Sequence, residues 1–223
     1  MAKGIESTIQ CALSLPNKAV ELTPYSLRFA SVFGRSSPLA FGCEPSTNGG
    51  TRMDVIQEKH ERAVGDAFMA WYNKRNGTTY AYHDRGANPP DLIYRSGSQQ
   101  VLLEVTVAYY DAGHATMLWQ NARGVPDAAD VWSSQSPDAK LIDSINLMLA
   151  KKSTKLYPPS CILVLVLYPD LTTAEEFEEL MPGVNVPAQH PFAEIYVGGM
   201  FPTSSSGSLG GYFWWRLSPT QQA

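Results

Sequence analysis

The run CILVLVLY, residues 161 to 168, limits the fold of this chain more than any other stretch. Eight residues are far too few to cross a bilayer, which takes about twenty. An apolar run of this length, set between prolines, reads as a strand buried at the centre of a sheet. The segments around it have other periods. MDVIQEKHERAVGDAFMAWYNKRN, with Gly77 just past its end, predicts a helix whose apolar stripe is Val64, Phe68, Trp71 and Tyr72. PDAKLIDSINLMLAKKSTKLYP predicts a second helix, beginning after Pro137 and ending before Pro158, with Leu141, Ile145, Met148 and Leu149 on its inner side. TTYAYH (78 to 83), residues 91 to 95 and residues 100 to 108 read as strands. TMLWQNA is the helical part of an otherwise loop-like segment, and TTAEEFEELM is an acidic helix on a solvated face. AEIYVGGMF and GYFWWRL are two further strands, joined by the Gly/Ser-rich PTSSSGSLGG. Helices and strands in this order predict a mixed α/β domain in which helices cover a central sheet.

Residues 1–50 mix Ser, Pro and Gly without a sustained period and read as an irregular N-terminal arm. Residues 51–223 form the α/β domain with its C-terminal strand extension. A net charge of -4 over 223 residues argues against coating nucleic acid by bulk positive charge, but leaves room for a few cations gathered in one cleft. Cys11, Cys43 and Cys161 are odd in number and widely spaced, which suits a reducing, cytoplasmic setting better than a disulfide framework or a zinc site. MAKGIESTIQCALSLPNK lacks the apolar core of a signal peptide, and no membrane association is expected. The four histidines show no metal-ligand spacing. Neither a Gly-x-Ser-x-Gly nucleophile turn nor a phosphate-cradling Gly-rich loop with Lys-Ser/Thr is present.

What the chemistry turns on is a glutamate in the middle of VLLEVTV. A carboxylate cannot be buried alone in an apolar strand without a penalty of several kcal/mol or the uptake of a proton. Alternation puts Leu102, Glu104 and Thr106 on one face and Leu103, Val105 and Val107 on the other. A turn around Ser96-Gly97-Ser98 folds this strand back on the preceding one, which opens with Pro90-Asp91, so Asp91 and Glu104 can reach a common point. A divalent cation there would offset their repulsion, and oxygen ligands suit Mg²⁺ or Mn²⁺. On the first helix Glu61 lies three residues before Val64 and seven before Phe68, on the inward stripe.

This pattern resembles the PD-(D/E)XK nuclease superfamily, with its restriction-endonuclease-like mixed central sheet flanked by helices. The likeness covers residues 54 to 168. It implies that Glu61 is the helical acid of the metal site, acting directly or through water, Asp91 the first metal-binding aspartate, and Glu104-Val105 the start of the Glu-x-Lys element, with the Val105 carbonyl a further ligand. Thr106 stands where the family most often has lysine. In some members the lysine comes from a following helix, and here Lys152, seven residues after Ile145, is best aimed inward, with Lys155 close behind. The activity implied is Mg²⁺-dependent phosphodiester hydrolysis of nucleic acid, DNA first, with Mn²⁺ able to substitute. Cutting both strands of a duplex would call for a homodimer or a second binding event. The alternative is a degenerate nuclease scaffold that binds nucleic acid, or serves a structural role, without cutting.

Other residues are expected to play lesser parts. His60 reads as a surface or supporting residue pointing away from Glu61, while His83, Asp84 and His114 lie near enough in sequence to be considered. Trp214 and Trp215 face opposite ways on their strand, so one packs inside and the other, with Arg216, is left near the surface for packing, a subunit contact or a base.

Overall fold

A computed structural model describes residues 52–87, 89–202 and 209–218. The expected N-terminal arm, Cys11 and Cys43 lie outside the described residues, as does most of the Gly/Ser-rich loop. Helix α1 (Arg52–Asn76) leads into strands β1 (Ala81–Arg85), β2 (Leu92–Ser96) and β3 (Gln99–Ala108). Helices α2 (Ala112–Arg123) and α3 (Pro137–Ser153) come next, then β4 (Cys161–Leu167) and α4 (Ala174–Leu180). A 3-10 turn (Met181–Gly183) precedes β5 (Glu194–Pro202) and β6 (Leu209–Ser218). The six strands form one mixed sheet in sequence order. β1, β2 and β3 are antiparallel, β3, β4 and β5 are parallel, and β6 returns antiparallel to β5. Among the described residues no helix is long and apolar enough to cross a membrane.

All seven residues of β4 are buried, because helices cover both faces of the sheet and leave this strand no solvent side. On one face Val64 and Phe68 of α1 pack on Leu92, Leu103, Val105 and Val164. On the other, Leu141, Ile145 and Leu149 of α3 and Phe177 of α4 pack on Leu102, Leu163 and Leu165. α1 lies so close to β2 that a Cβ on Gly65 would stand 2.4 Å from Leu92 Cδ1 and 2.7 Å from Tyr94 Oη.

The β2–β3 hairpin turns through Gly97 and Ser98, with Ser96 paired to Gln99 and Gly97 at φ 59°. A left-handed first turn residue matches the twist of the two strands and favours glycine there. β1 starts later than the sequence suggests. Asn73 explains the delay: its amide donates to Tyr80 O (2.8 Å) and accepts from Tyr80 N (2.9 Å) and Thr78 Oγ1 (2.8 Å), so residues 78 to 80 serve the end of α1 instead of the sheet. Of the two tryptophans of β6, which face opposite ways, Trp214 is buried and Trp215 half-buried. Trp214 meets Phe68 on the α1 face, while Trp215 lies against Phe177 and Phe201 and donates to Glu178 (3.0 Å).

Candidate functional site

The site lies where β2 stops and β3 runs on. The last bonds of this pair are Leu92 with Leu103, and Asp91 N–H to Leu103 O at 3.0 Å. From Glu104 onward β3 keeps β4 on one side, and on the other side no described strand pairs with it. Asp91 fills the first step of that opening, its Oδ2 accepting the Val105 N–H at 2.8 Å. Since N–H and C=O of one strand residue point the same way, the Val105 carbonyl also faces the opening.

Glu104 projects toward α3, as strand alternation requires, and is only 4% exposed. Lys152 Nζ meets its Oε1 at 2.6 Å, and the Tyr157 hydroxyl donates to the same oxygen at 3.2 Å. Oε2 is buried and accepts no hydrogen bond from the described residues. Glu61 comes from α1, one turn before Val64, and is also buried; it accepts from Gln57 Nε2 at 2.7 Å, and Arg85 Nη2 lies 3.8 Å away. These carboxylates line a cleft of about 480 Å³, floored by Asp91, Glu104 and Val105, with Thr106 half-buried beside them.

Of the two candidate lysines, Lys152 reaches the floor, and Lys155 stands exposed at the rim. α3 ends at Ser153, so the helical spacing that aims Lys152 inward does not carry through to Lys155. His60 departs from the sequence reading. It is buried, lines the same cleft and is hydrogen-bonded to the Tyr168 hydroxyl, because α1 sits deep enough on the sheet to bury both neighbours of its acidic turn. Burial lowers its pKa to about 4, so its imidazole is neutral near pH 7. His114 is buried elsewhere, beneath Trp132 and 3.5 Å from Asp170, and His83 and Asp84 are exposed on β1. Gln57, one helical turn before Glu61, lines the cleft, while Arg85, Tyr157 and Tyr168 contact Glu61, Glu104 and His60 from other segments; none was legible as a site residue, since no local motif marks any of them.

Burial raises the Glu61 carboxyl to about 7, aided by the Asp91 charge and opposed by the Gln57 hydrogen bond. Burial likewise raises Asp91 to about 6, with Glu104 adding to the shift while the Val105 N–H, Lys152 and Arg85 oppose it. Both groups therefore bind protons more tightly in the folded chain than in the unfolded one, where carboxyls ionise near pH 4. Between about pH 4 and pH 7 the folded state holds the extra protons, and stability falls as pH rises through that window. Urea midpoints are expected to drop between about pH 5 and pH 7.5. His60, with its pKa lowered, works in the opposite sense below about pH 6.5, so a midpoint that stays flat from about pH 6.5 to pH 7.5 would show that Glu61 is not shifted upward.

Among the described residues no three His, Cys, Asp or Glu side chains are disposed to hold a metal ion by themselves. The donor chemistry nonetheless fits a small hard cation. An unpartnered buried carboxylate oxygen of Glu104, the Asp91 carboxylate and the Val105 carbonyl are all oxygens, and Mg²⁺ commonly takes one or two carboxylates and completes its shell with water. No family model matches this chain, and no curated protein or solved structure is significantly similar to it.

Proposed function

We propose that this chain is a Mg²⁺-dependent nuclease on a restriction-endonuclease-like scaffold, hydrolysing phosphodiester bonds of nucleic acid, with DNA the first substrate to test. The observation that carries this reading is Glu104 Oε2, a buried carboxylate oxygen that accepts no hydrogen bond from the described residues. Buried polar atoms are nearly always paired, and an unpaired one beside a second carboxylate is a donor that a hard cation would satisfy.

Asp91, Glu104 and the Val105 carbonyl would hold Mg²⁺ or Mn²⁺, which would polarise a phosphoryl oxygen and lower the pKa of a bound water. The chain's own groups have separate tasks. Lys152 fixes the Glu104 carboxylate and brings positive charge to the cleft floor, offsetting charge that gathers on a phosphate under attack. In this role it takes the place of a lysine at position 106, where Thr106 offers only a hydroxyl. Glu61, titrating near 7, can hold or accept a proton at neutral pH. Lys155 draws phosphates to the rim.

The test is Mn²⁺ calorimetry on the wild type, Asp91→Ala and Glu104→Ala, paired with Mg²⁺-dependent digestion of linear duplex and single-stranded DNA. Metal binding and cutting are expected in the wild type and in neither variant. The Lys152–Glu104 ion pair at 2.6 Å supports a second reading, in which the floor is already charge-compensated and the protein binds nucleic acid or a partner without cutting. A wild type that takes up no Mn²⁺ and cuts neither substrate would decide for it.

A further inference from the structure

Beyond its carboxylates the cleft has a wall that hydrolysis leaves unused. After β3 the chain turns into α2, started by Asp111, whose Oδ1 accepts the His114 N–H at 2.9 Å, and ended by Gly124 at φ 65°. Trp119 and Arg123 stand four residues apart on α2, and so share one face of the helix. Both line the carboxylate cleft, and with Ala115, Thr116 and Gln120 they also line an adjoining depression of about 250 Å³. They are thus the common edge of two connected hollows, the first of which holds Asp91 and Glu104.

The indole is held in place. Its ring meets the buried His60 edge-on, with centroids 6.1 Å apart at 69°, and Tyr109 lines the cleft wall with it. Arg123 is exposed and makes no ion pair among the described residues; Lys155, across the cleft, is in the same position. A fixed aromatic ring beside a planar cation is suited to a base and its phosphate: the ring gives sequence-tolerant stacking, and the guanidinium forks onto phosphate oxygens. Stacking of an aromatic ring engages the face of a base. In a duplex the faces are covered by neighbouring pairs and only edges are displayed.

We infer that the α2 wall is a subsite for one unpaired nucleotide next to the scissile position, with Trp119 stacking on its base and Arg123 holding its phosphate, so that the substrate is single-stranded nucleic acid. The inference rests on the nuclease reading only for the position of the scissile bond. A single-stranded substrate also removes the need for a second subunit to cut an opposite strand.

The test uses the full chain in Ca²⁺ and follows fluorescence anisotropy of a labelled oligothymidylate of about twelve nucleotides, within the usual site sizes of single-strand binders. An abasic strand and a hairpin duplex of equal length serve as comparisons. The thymidylate strand is expected to bind more tightly than the hairpin. Trp119→Ala should weaken its binding about tenfold, Trp119→Phe should keep most of it, and neither should alter binding of the abasic strand. Arg123→Gln, on an exposed side chain that leaves the core untouched, should weaken both strands and flatten their salt dependence. Three results would each overturn the subsite: no binding of the strand, duplex bound as tightly as single strand, or wild-type affinity in both Trp119 variants. Its failure is separable from that of the nuclease reading. The expected binding pattern without any cutting keeps the subsite and removes hydrolysis, whereas cutting that is indifferent to Trp119 does the reverse.

Discussion

Glu104→Gln is expected to abolish Mg²⁺-dependent cleavage, by about a thousandfold or more, and to remove calorimetric Mn²⁺ binding while the fold persists. Glutamine matches glutamate in volume, so the packing of a residue that is 4% exposed is kept. Lys152 can still donate to the amide oxygen, and Tyr157 can as well. What is lost is the negative charge and one acceptor. The oxygen that accepts no hydrogen bond from the described residues becomes an amide nitrogen with two N–H groups to place, and each one left without an acceptor costs about 1–3 kcal/mol. Circular dichroism and urea unfolding measured beside the cleavage assay separate the two effects. A glutamine variant that still cuts at the wild-type rate would remove Glu104 from the metal site and leave Asp91 without its partner.

Much of this arrangement was legible in the sequence, for reasons that particular residues make plain. Period-two alternation assigned Glu104 to the face opposite Leu103 and Val105, and the structure puts it there, beneath α3. Helical spacing from Ile145 aimed Lys152 inward, because α3 remains regular as far as Ser153. The same rule failed for Lys155, whose position lies past that end and is no longer governed by helical geometry. β1 was misplaced because its start is set by three hydrogen bonds of Asn73, a long-range side-chain effect with no periodic signature. His60 was read as peripheral because its place next to Glu61 on the helix turns it away from that carboxylate; its hydrogen-bond partner in the structure, Tyr168, is over a hundred residues away. The Trp119 wall was hidden for a related reason. TMLWQNA predicts a helix, but only the packing of α2 beside the end of β3 turns Trp119 and Arg123 toward the carboxylates. Local patterns thus found the acids and their nearest cation, while the contacts that shape the cleft around them came from tertiary packing.

Lys152→Met is expected to destabilise the protein by about 3–5 kcal/mol, the usual result of removing one partner of a buried ion pair. The side chains of Lys152 and Glu104 are 14% and 5% exposed, so solvent does little to screen the charge left behind. Methionine keeps most of the packing against the sheet, which confines the loss to the electrostatics of Glu104. The double variant Glu104→Leu with Lys152→Met removes both charges and is expected to recover most of the stability, since a buried pair is often no better than apolar residues of similar volume. Divalent metal separates the two functional readings. If Asp91 and Glu104 hold a cation, Mn²⁺ would replace the missing ammonium, stabilising Lys152→Met more than the wild type and the double variant not at all. The single variant would then bind metal yet cut poorly, because the charge that Lys152 brings to a phosphate under attack is gone. Urea midpoints for the three proteins, with and without Mn²⁺, are the measurement. Equal Mn²⁺ shifts in all three would mean that the cation is bound elsewhere, and that the Lys152–Glu104 pair is a structural tie between α3 and β3.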